Sequence, residues 1–393
     1  MADPQSPNIE LAGVVINSAV ITPFRLTNGR NNLLDPLGQS SVTFSCFRQA
    51  LNGLFTSTPI SDAGLGAAVQ LYSGGAAPQL RVWFNGIVTD VSSDADTITF
   101  TAIDLNTWYL SKAPPLDLAA GSYDSDVLIQ TLCNAVGADY VISAGIDAPQ
   151  YIDAQTVTNY ADFIRTIIGG NATAFGYFAP PGDQPSVGLK IVDRETDVIY
   201  PASTSAPAQT DVEKNYSITR SIGDILNEIV ITYSDGLGGT VTSTSVNQTS
   251  IDDIGVRSYS RSVLTTDADE VKRIEKGLMA AGAPYGFPLV NFRVHSSFFN
   301  GTPLTLDQSF DYFQPNSRLN LTDLVSQPGF DSIMFVEQVT WNFAKADTTI
   351  DLLCSSEQYS TMPQEWQNVT GSTTWASISS FGYTWDDLLY TRL

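Results

Sequence analysis

Hydrophobic and polar residues alternate with a period of two along much of the chain, most clearly from Arg81 to Leu110. Val82, Phe84, Ile87 and Val91 mark one extended run; after the polar SSDAD, Thr97, Thr99 and Thr101 alternate with Ile98, Phe100 and Ala102. This period sets one side of a strand against a core and the other toward water. The Ser/Asp run supplies turn chemistry, so the stretch is predicted to be a β-hairpin. Its Thr-rich side suits a half-wet pleated surface. Ser332 to Ser356 repeats the order of strand, short polar turn and strand. Val88-Thr89 and Val339-Thr340 lie 251 residues apart, as do the triplets beginning at Ala95 and Ala346. Two short matches at one offset, at the same place in each hairpin, predict a duplicated β-unit.

The rest of the chain arranges itself around those hairpins. Residues 1–112 read as all-β: IELAGVVINSAVI, then SSVTFSCF with Val42, Phe44 and Cys46 on one side, then GLGAAVQLYSGG. Short strands at this spacing predict a first tube-like β-barrel. The Pro/Gly-rich KAPPLDLAAGSYDSD marks a boundary. Within 113–205, Val127, Leu128, Leu132 and Val136 predict a helix capped by Asp124 or Ser125 and stopped at Gly137. A second helix is predicted over Asn159 to Ile168, capped by Thr158 and ended by Gly169-Gly170. With short strands at Tyr177-Phe178 and Gly188 to Val192, this segment is an α/β insert.

Residues 206–360 predict a second β-barrel. They hold a hairpin turning at Asp235-Gly236 and Gly238-Gly239, and a helix over 266–281 with Val271, Ile274 and Leu278 as its apolar stripe. Thr266 or Asp267 is its cap. The last segment, 361–393, sets Trp366, Trp375, Phe381, Tyr383, Trp385 and Tyr390 in polar surroundings. Such crowding of aromatics reads as an extended tail that docks on a partner. The predicted class is therefore mainly β with an α+β insert: two tube-like β-barrel domains flank a small α/β domain, and an extended aromatic C-terminal tail follows.

Composition narrows the functions. Forty-one acids against nineteen bases give a net charge of −22, which excludes nucleic-acid binding through a basic surface. Acids lining a channel would instead repel DNA passing through it. Cys46, Cys133 and Cys354 form no CxxC and sit among apolar residues, as reduced core thiols do. MADPQSPNIE has neither the basic nor the apolar segment of a signal peptide. No stretch approaches the roughly eighteen apolar residues of a membrane span, so no membrane insertion by this chain is expected.

No catalytic constellation emerges either. His295, the one histidine, lies on the polar side of NFRVHSSFF with Asn291 and Arg293, without a GxSxG or cysteine signature. Zinc needs three or four close ligands, and one His with three scattered Cys does not supply them. Gly64-Leu65-Gly66 only half-matches a dinucleotide loop, and SSDADT and GSYDSD are too short for a calcium loop. No catalytic, cofactor-binding or metal residue is predicted, and the chain reads as a non-enzyme without a cofactor.

The order WFNGIVTDV…TITFTAID, an α/β insert, EVKRIEKGLMAAG and VEQVTWNF…TTIDLLCSS resembles the tail-hub (baseplate hub, minor tail) proteins of tailed bacteriophages. NLLDPLGQSSVTF is similar to the family's Asp-Pro turn before its second strand. GYTWDDLLY is similar to endings in tail proteins of siphophages that infect actinobacteria. The resemblance spans residues 10 to 393 and implies a homotrimeric tail-tip ring that continues the tail tube and lines the DNA exit channel. It also implies contacts with the distal tail protein, the tape measure protein and peripheral tail-tip or fibre proteins, and DNA that passes without specific binding. The virion tail tip, assembled in the host cytoplasm, is the expected location. A distal tail protein forming a hexameric ring, and a β-protein that binds or cleaves cell-wall carbohydrate, are the competing readings.

Overall fold

The computed structural model describes residues 7–55, 64–73, 81–143, 146, 148–179, 188–194, 217–218, 225–282, 289–295, 306–320, 333–344 and 348–356. Strand predominates over helix, as the alternating pattern predicts. The first part of the chain supplies β1 (Asn8–Leu11), β2 (Val14–Val15), β3 (Val20–Gly29), β4 (Gln39–Phe47), β5 (Ala68–Tyr72), β6 (Val82–Ser93) and β7 (Thr97–Asp104). The predicted hairpin is β6–β7, and Ile98, Phe100 and Ala102 face inward as expected. Asp104 ends β7 and caps a short helix, Leu105–Ser111, by accepting from the amides of Asn106 and Thr107.

The insert holds β8 (Leu116–Leu118), β9 (Gly121–Asp124), β10 (Tyr140–Ile142), β11 (Pro149–Ile152), β12 (Gln155–Val157), β13 (Ala174–Phe178) and β14 (Leu189–Asp193). Its first helix is Ser125–Val136, ended by Gly137 in the left-handed region at φ 66°. Leu128, Ile129, Leu132 and Cys133 form its buried stripe, whereas Val127, expected inside, is 47% exposed. Buried positions spaced i, i+1, i+4 and i+5 fit the 3.6-residue turn better than the i, i+1, i+5, i+9 set read from the sequence. Its second helix is Tyr160–Gly169, and Asn159 rather than Thr158 caps it, accepting from the Asp162 amide.

The remaining strands are β15 (Ser217–Ile218), β16 (Glu228–Ser234), β17 (Thr240–Val246), β18 (Ser258–Ser262), β19 (Val290–His295), β20 (Arg318–Asn320), β21 (Ile333–Phe343) and β22 (Thr349–Ser356). Residues 206–360 thus feed two different sheets. β17-β16-β18 is a separate three-stranded sheet covered by the helix Ala268–Ala281. Asp267 caps that helix, and Val271, Ile274 and Leu278 bury its apolar stripe against Ile229 and Ile231. The other strands join β1–β7 in one 12-stranded curled sheet of order β15-β19-β22-β21-β3-β4-β7-β6-β5-β1-β2, with β20 beside β21. Its inner side is one core, in which Phe24 stacks on Phe343 at 4.8 Å and Phe310 on Trp341 at 4.3 Å.

Candidate assembly face and the junction beside it

The large sheet contains the same strand order twice. The early run is β3-β4-β7-β6 and the late run is β15-β19-β22-β21, antiparallel throughout. In each, the second strand of the hairpin bonds to an earlier strand (β4 or β19), and the strand immediately before the hairpin (β5 or β20) bonds to its first strand. The first strand of each hairpin also carries a bulge, between Val88 and Asp90 in β6 and between Val336 and Gln338 in β21. Superposing the bulges sets Val88 opposite Val336, not Val339. The shared 251-residue offset is therefore not the structural register, while the strand order itself recurs in the pairing. The halves are stitched by β21 and β3, where Thr340 pairs with Thr27 and Trp341 with Leu26.

Every second residue of these strands points away from the core, and the registers align them in rows. One row runs Arg293, Asp351, Thr340, Thr27, Ser41; a second runs Thr349, Asn342, Arg25, Thr43, Thr101, Asp90. Hydroxyls bond across the strands: Ser45 to Thr99 at 2.7 Å and Thr27 to Thr340 at 3.2 Å. Arg293 and Asp351 form an ion pair at 2.7 Å, and the Asn342 amide donates to the same carboxylate.

At one end of this face, on the side of Ser355 and Phe335, a buried ionic cluster ties the sheet to the insert. The bulge residue Glu337 has no exposed side chain. It accepts from Arg30 Nε at 2.7 Å, from both terminal nitrogens of Arg194 at 2.7 Å each, and from the Ser355 hydroxyl. Phe175 lies under both guanidiniums, 4.7 Å from Arg30 and 4.4 Å from Arg194. Burial pushes the Glu337 carboxyl up, but Arg194 and Arg30 outweigh it and hold the group well below the usual carboxylate range. Gly29, at φ 108°, abuts this bulge: a β-carbon there would collide with the Glu337 carbonyl.

The loop Arg30–Gly38 touches all three packed units. Arg30 Nη1 donates to the carbonyls of Leu33 and Asp35 at 3.0 and 2.9 Å. Leu34 packs on the core under the helix Ala268–Ala281, and Leu37 is buried in the core of the insert. The Gly38 amide donates to the Gly176 carbonyl at 2.7 Å, and the Gly176 amide to the Pro36 carbonyl at 2.9 Å. Asp35 accepts from the insert's Arg165 at 3.0 Å.

The six aromatics predicted to dock a partner (Trp366, Trp375, Phe381, Tyr383, Trp385 and Tyr390) lie outside the described residues. Phe292 and Val294 of β19 are buried and Arg293 is exposed, which is the predicted orientation of that strand. The three cysteines are free and buried; burial pushes the Cys46 and Cys133 thiols up to about 12 and raises Cys354 as well. Among the described residues no cluster of three His, Cys, Asp or Glu has a metal-binding arrangement. Sequence reading missed Arg30, Arg194 and Glu337. The one available signal was a single carboxylate inside the otherwise apolar run IMFVEQV.

No protein-family model matches the sequence, and no curated protein does. Solved structures share the fold. The 43 kDa tail protein of prophage MuSo2 from Shewanella oneidensis is 14% identical, with a TM-score of 0.57 over 90% of this chain and 99% of that one. A tail protein from Neisseria meningitidis MC58 is 12% identical, with a TM-score of 0.56 over 91% and 99%. The E. coli c3393 protein is a type VI secretion component described as structurally similar to the T4 tail proteins gp27 and gp5. It is 10% identical, with a TM-score of 0.50 over 91% of this chain and 79% of its own.

Proposed function

We propose that the chain is a structural virion protein, the tail-tip hub of a tailed bacteriophage, and that three copies form a ring that continues the tail tube. One observation carries this reading: the strand order β3-β4-β7-β6 recurs as β15-β19-β22-β21 within one sheet. Each subunit then contributes two tube-like units, drawn from 1–112 and 206–360, and three subunits offer six stations to a sixfold tube. The shared fold with tail proteins agrees with it.

The register also suggests how copies join. Beyond its bulge, β21 pairs with β3. The corresponding part of β6, Asp90 to Ser93, pairs with β7 on one side only among the described strands, and β15 is the terminal strand at the other end of the sheet. A head-to-tail ring lays β15 of one copy along β6 of the next, repeating the β21–β3 joint and pairing both of these edges. The insert, 113–205, then lies outside the ring, toward the distal tail protein or peripheral fibres. The aromatic segment 361–393 docks a partner below. DNA and the tape measure protein pass through the centre, and the chain itself catalyses nothing. Mass photometry and electron microscopy of the full-length protein test the reading. Threefold rings are expected; a hexamer would identify a distal tail ring instead, and a monomer that binds or cleaves cell-wall glycan would overturn the proposal.

A further inference from the structure

The outward face of the large sheet has a chemistry of its own, distinct from that of the chain as a whole. The protein carries −22, yet across β19, β22, β21, β3, β4, β7 and β6 the outward charged side chains that reach solvent are Arg25, Arg293, Asp351 and Asp90, two of each sign, while Glu337 on the same side is buried between Arg30 and Arg194. Arg293 and Asp351 are already paired. Between them stand mainly hydroxyls and one amide: Thr27, Ser41, Thr43, Ser45, Thr99, Thr340 and Asn342. Several of these hydroxyls bond one another at 2.7 to 3.5 Å, which leaves them weak partners for anything sliding past. The acidic bore expected from composition is thus not what this face offers.

We infer that this face is a charge-balanced, hydroxyl-covered wall for duplex DNA, the surface along which the phosphate backbone moves without being held or repelled. The inference rests on the hub reading, which places one side of the sheet toward the channel. The physical reason is electrostatic. A basic wall binds phosphates by releasing counterions and holds them tightly at low salt, whereas an acidic one raises the potential at the mouth and opposes entry. Short side chains of balanced charge do neither, and a Ser/Thr surface keeps a mobile water layer. The excess acids lie elsewhere, notably Asp117, Asp124, Asp126, Asp139 and Asp153 of the insert.

The experiment uses the full-length chain. Its native thiols are buried and give low background, so single reporters T43C and T99C are compared with L237C, at a turn residue that is 90% exposed. In assembled rings a small maleimide should label all three, while a maleimide on a large polymer should label L237C at least tenfold faster than T43C or T99C. Equal rates with the large reagent would put the face outside the channel and overturn the inference, even with rings intact. Absence of rings by mass photometry would instead sink the hub reading, and the inference with it. Second, wild-type rings should show no binding of a short duplex at low salt. Rings of the T43K/T99K double variant should bind it, and lose about tenfold or more in affinity between roughly 50 and 200 mM salt. Salt-dependent binding by the wild type would overturn the charge-balance argument.

Discussion

The two bulged hairpins share strand order but differ in what the bulge carries. In β6 the bulge presents Thr89 beside Asp90 at the surface, the Thr89 hydroxyl 3.1 Å from the Asp90 carboxylate. In β21 the same irregularity seats Glu337 in a buried site between two arginines from distant parts of the chain. A bulge re-aims a side chain at little cost to the ladder. The repeat therefore leaves one station free on the surface and uses the other to fasten the insert.

The largest test of that contrast is E337Q. It strips the countercharge from two buried guanidiniums and should cost about 3–5 kcal/mol, read by urea unfolding of the full chain, whereas D90N should cost no more than about 0.5 kcal/mol. Next comes G29A, which sets a β-carbon against the Glu337 carbonyl at a φ that favours glycine; a loss of about 2–3 kcal/mol is expected. Alanine at Gly13, also at positive φ but with open space around the position, should cost less.

The two halves also differ in their response to pH. Burial raises Asp104, at the end of β7, from 3.8 to about 7 against the opposing pull of its backbone hydrogen bonds. Its folded pKa lies above its unfolded one, so its contribution is fully present below about pH 4 and is lost as pH rises toward 7. Glu337 has the opposite sign: its contribution is present above the ordinary carboxylate range and disappears as acid protonates it. D104N should therefore flatten the decline in stability between pH 4 and 7 while leaving acid unfolding in place, measured by denaturant midpoints at several pH values. The smallest effect is expected from T340V, which removes one hydroxyl from the Thr27 pair on the wetted face. A change within about 0.5 kcal/mol should appear in the same assay.

Local pattern carried the strands and caps well. Ile98, Phe100 and Ala102 declare their side of β7, and Thr266-Asp267 declares the start of its helix to within one residue, because both signals lie within a few residues. Asn159 was misplaced by one position since Thr158 has the same capping chemistry. What joins the halves was not legible. Thr27 and Thr340 sit opposite each other across 313 residues, and antiparallel pairing at that range leaves no local trace. The ionic cluster was hidden for the same reason: Glu337 reads as an oddity until Arg30 and Arg194 are brought to it. The equal offset of Val88-Thr89 and Val339-Thr340 pointed to the recurring strand order through a false alignment, since bulges and unequal turns shift the count.

The loop Arg30–Gly38 also bears on how such a chain tolerates change. Because its backbone is bonded at Gly38 and Pro36 to the insert and its leucines seat in two different cores, its length acts as a ruler. Adding even one residue there would misalign three modules together, so libraries that vary this protein should hold that span at fixed length. The Asp235–Gly239 turn is the opposite kind of place, where a fused epitope would disturb only itself.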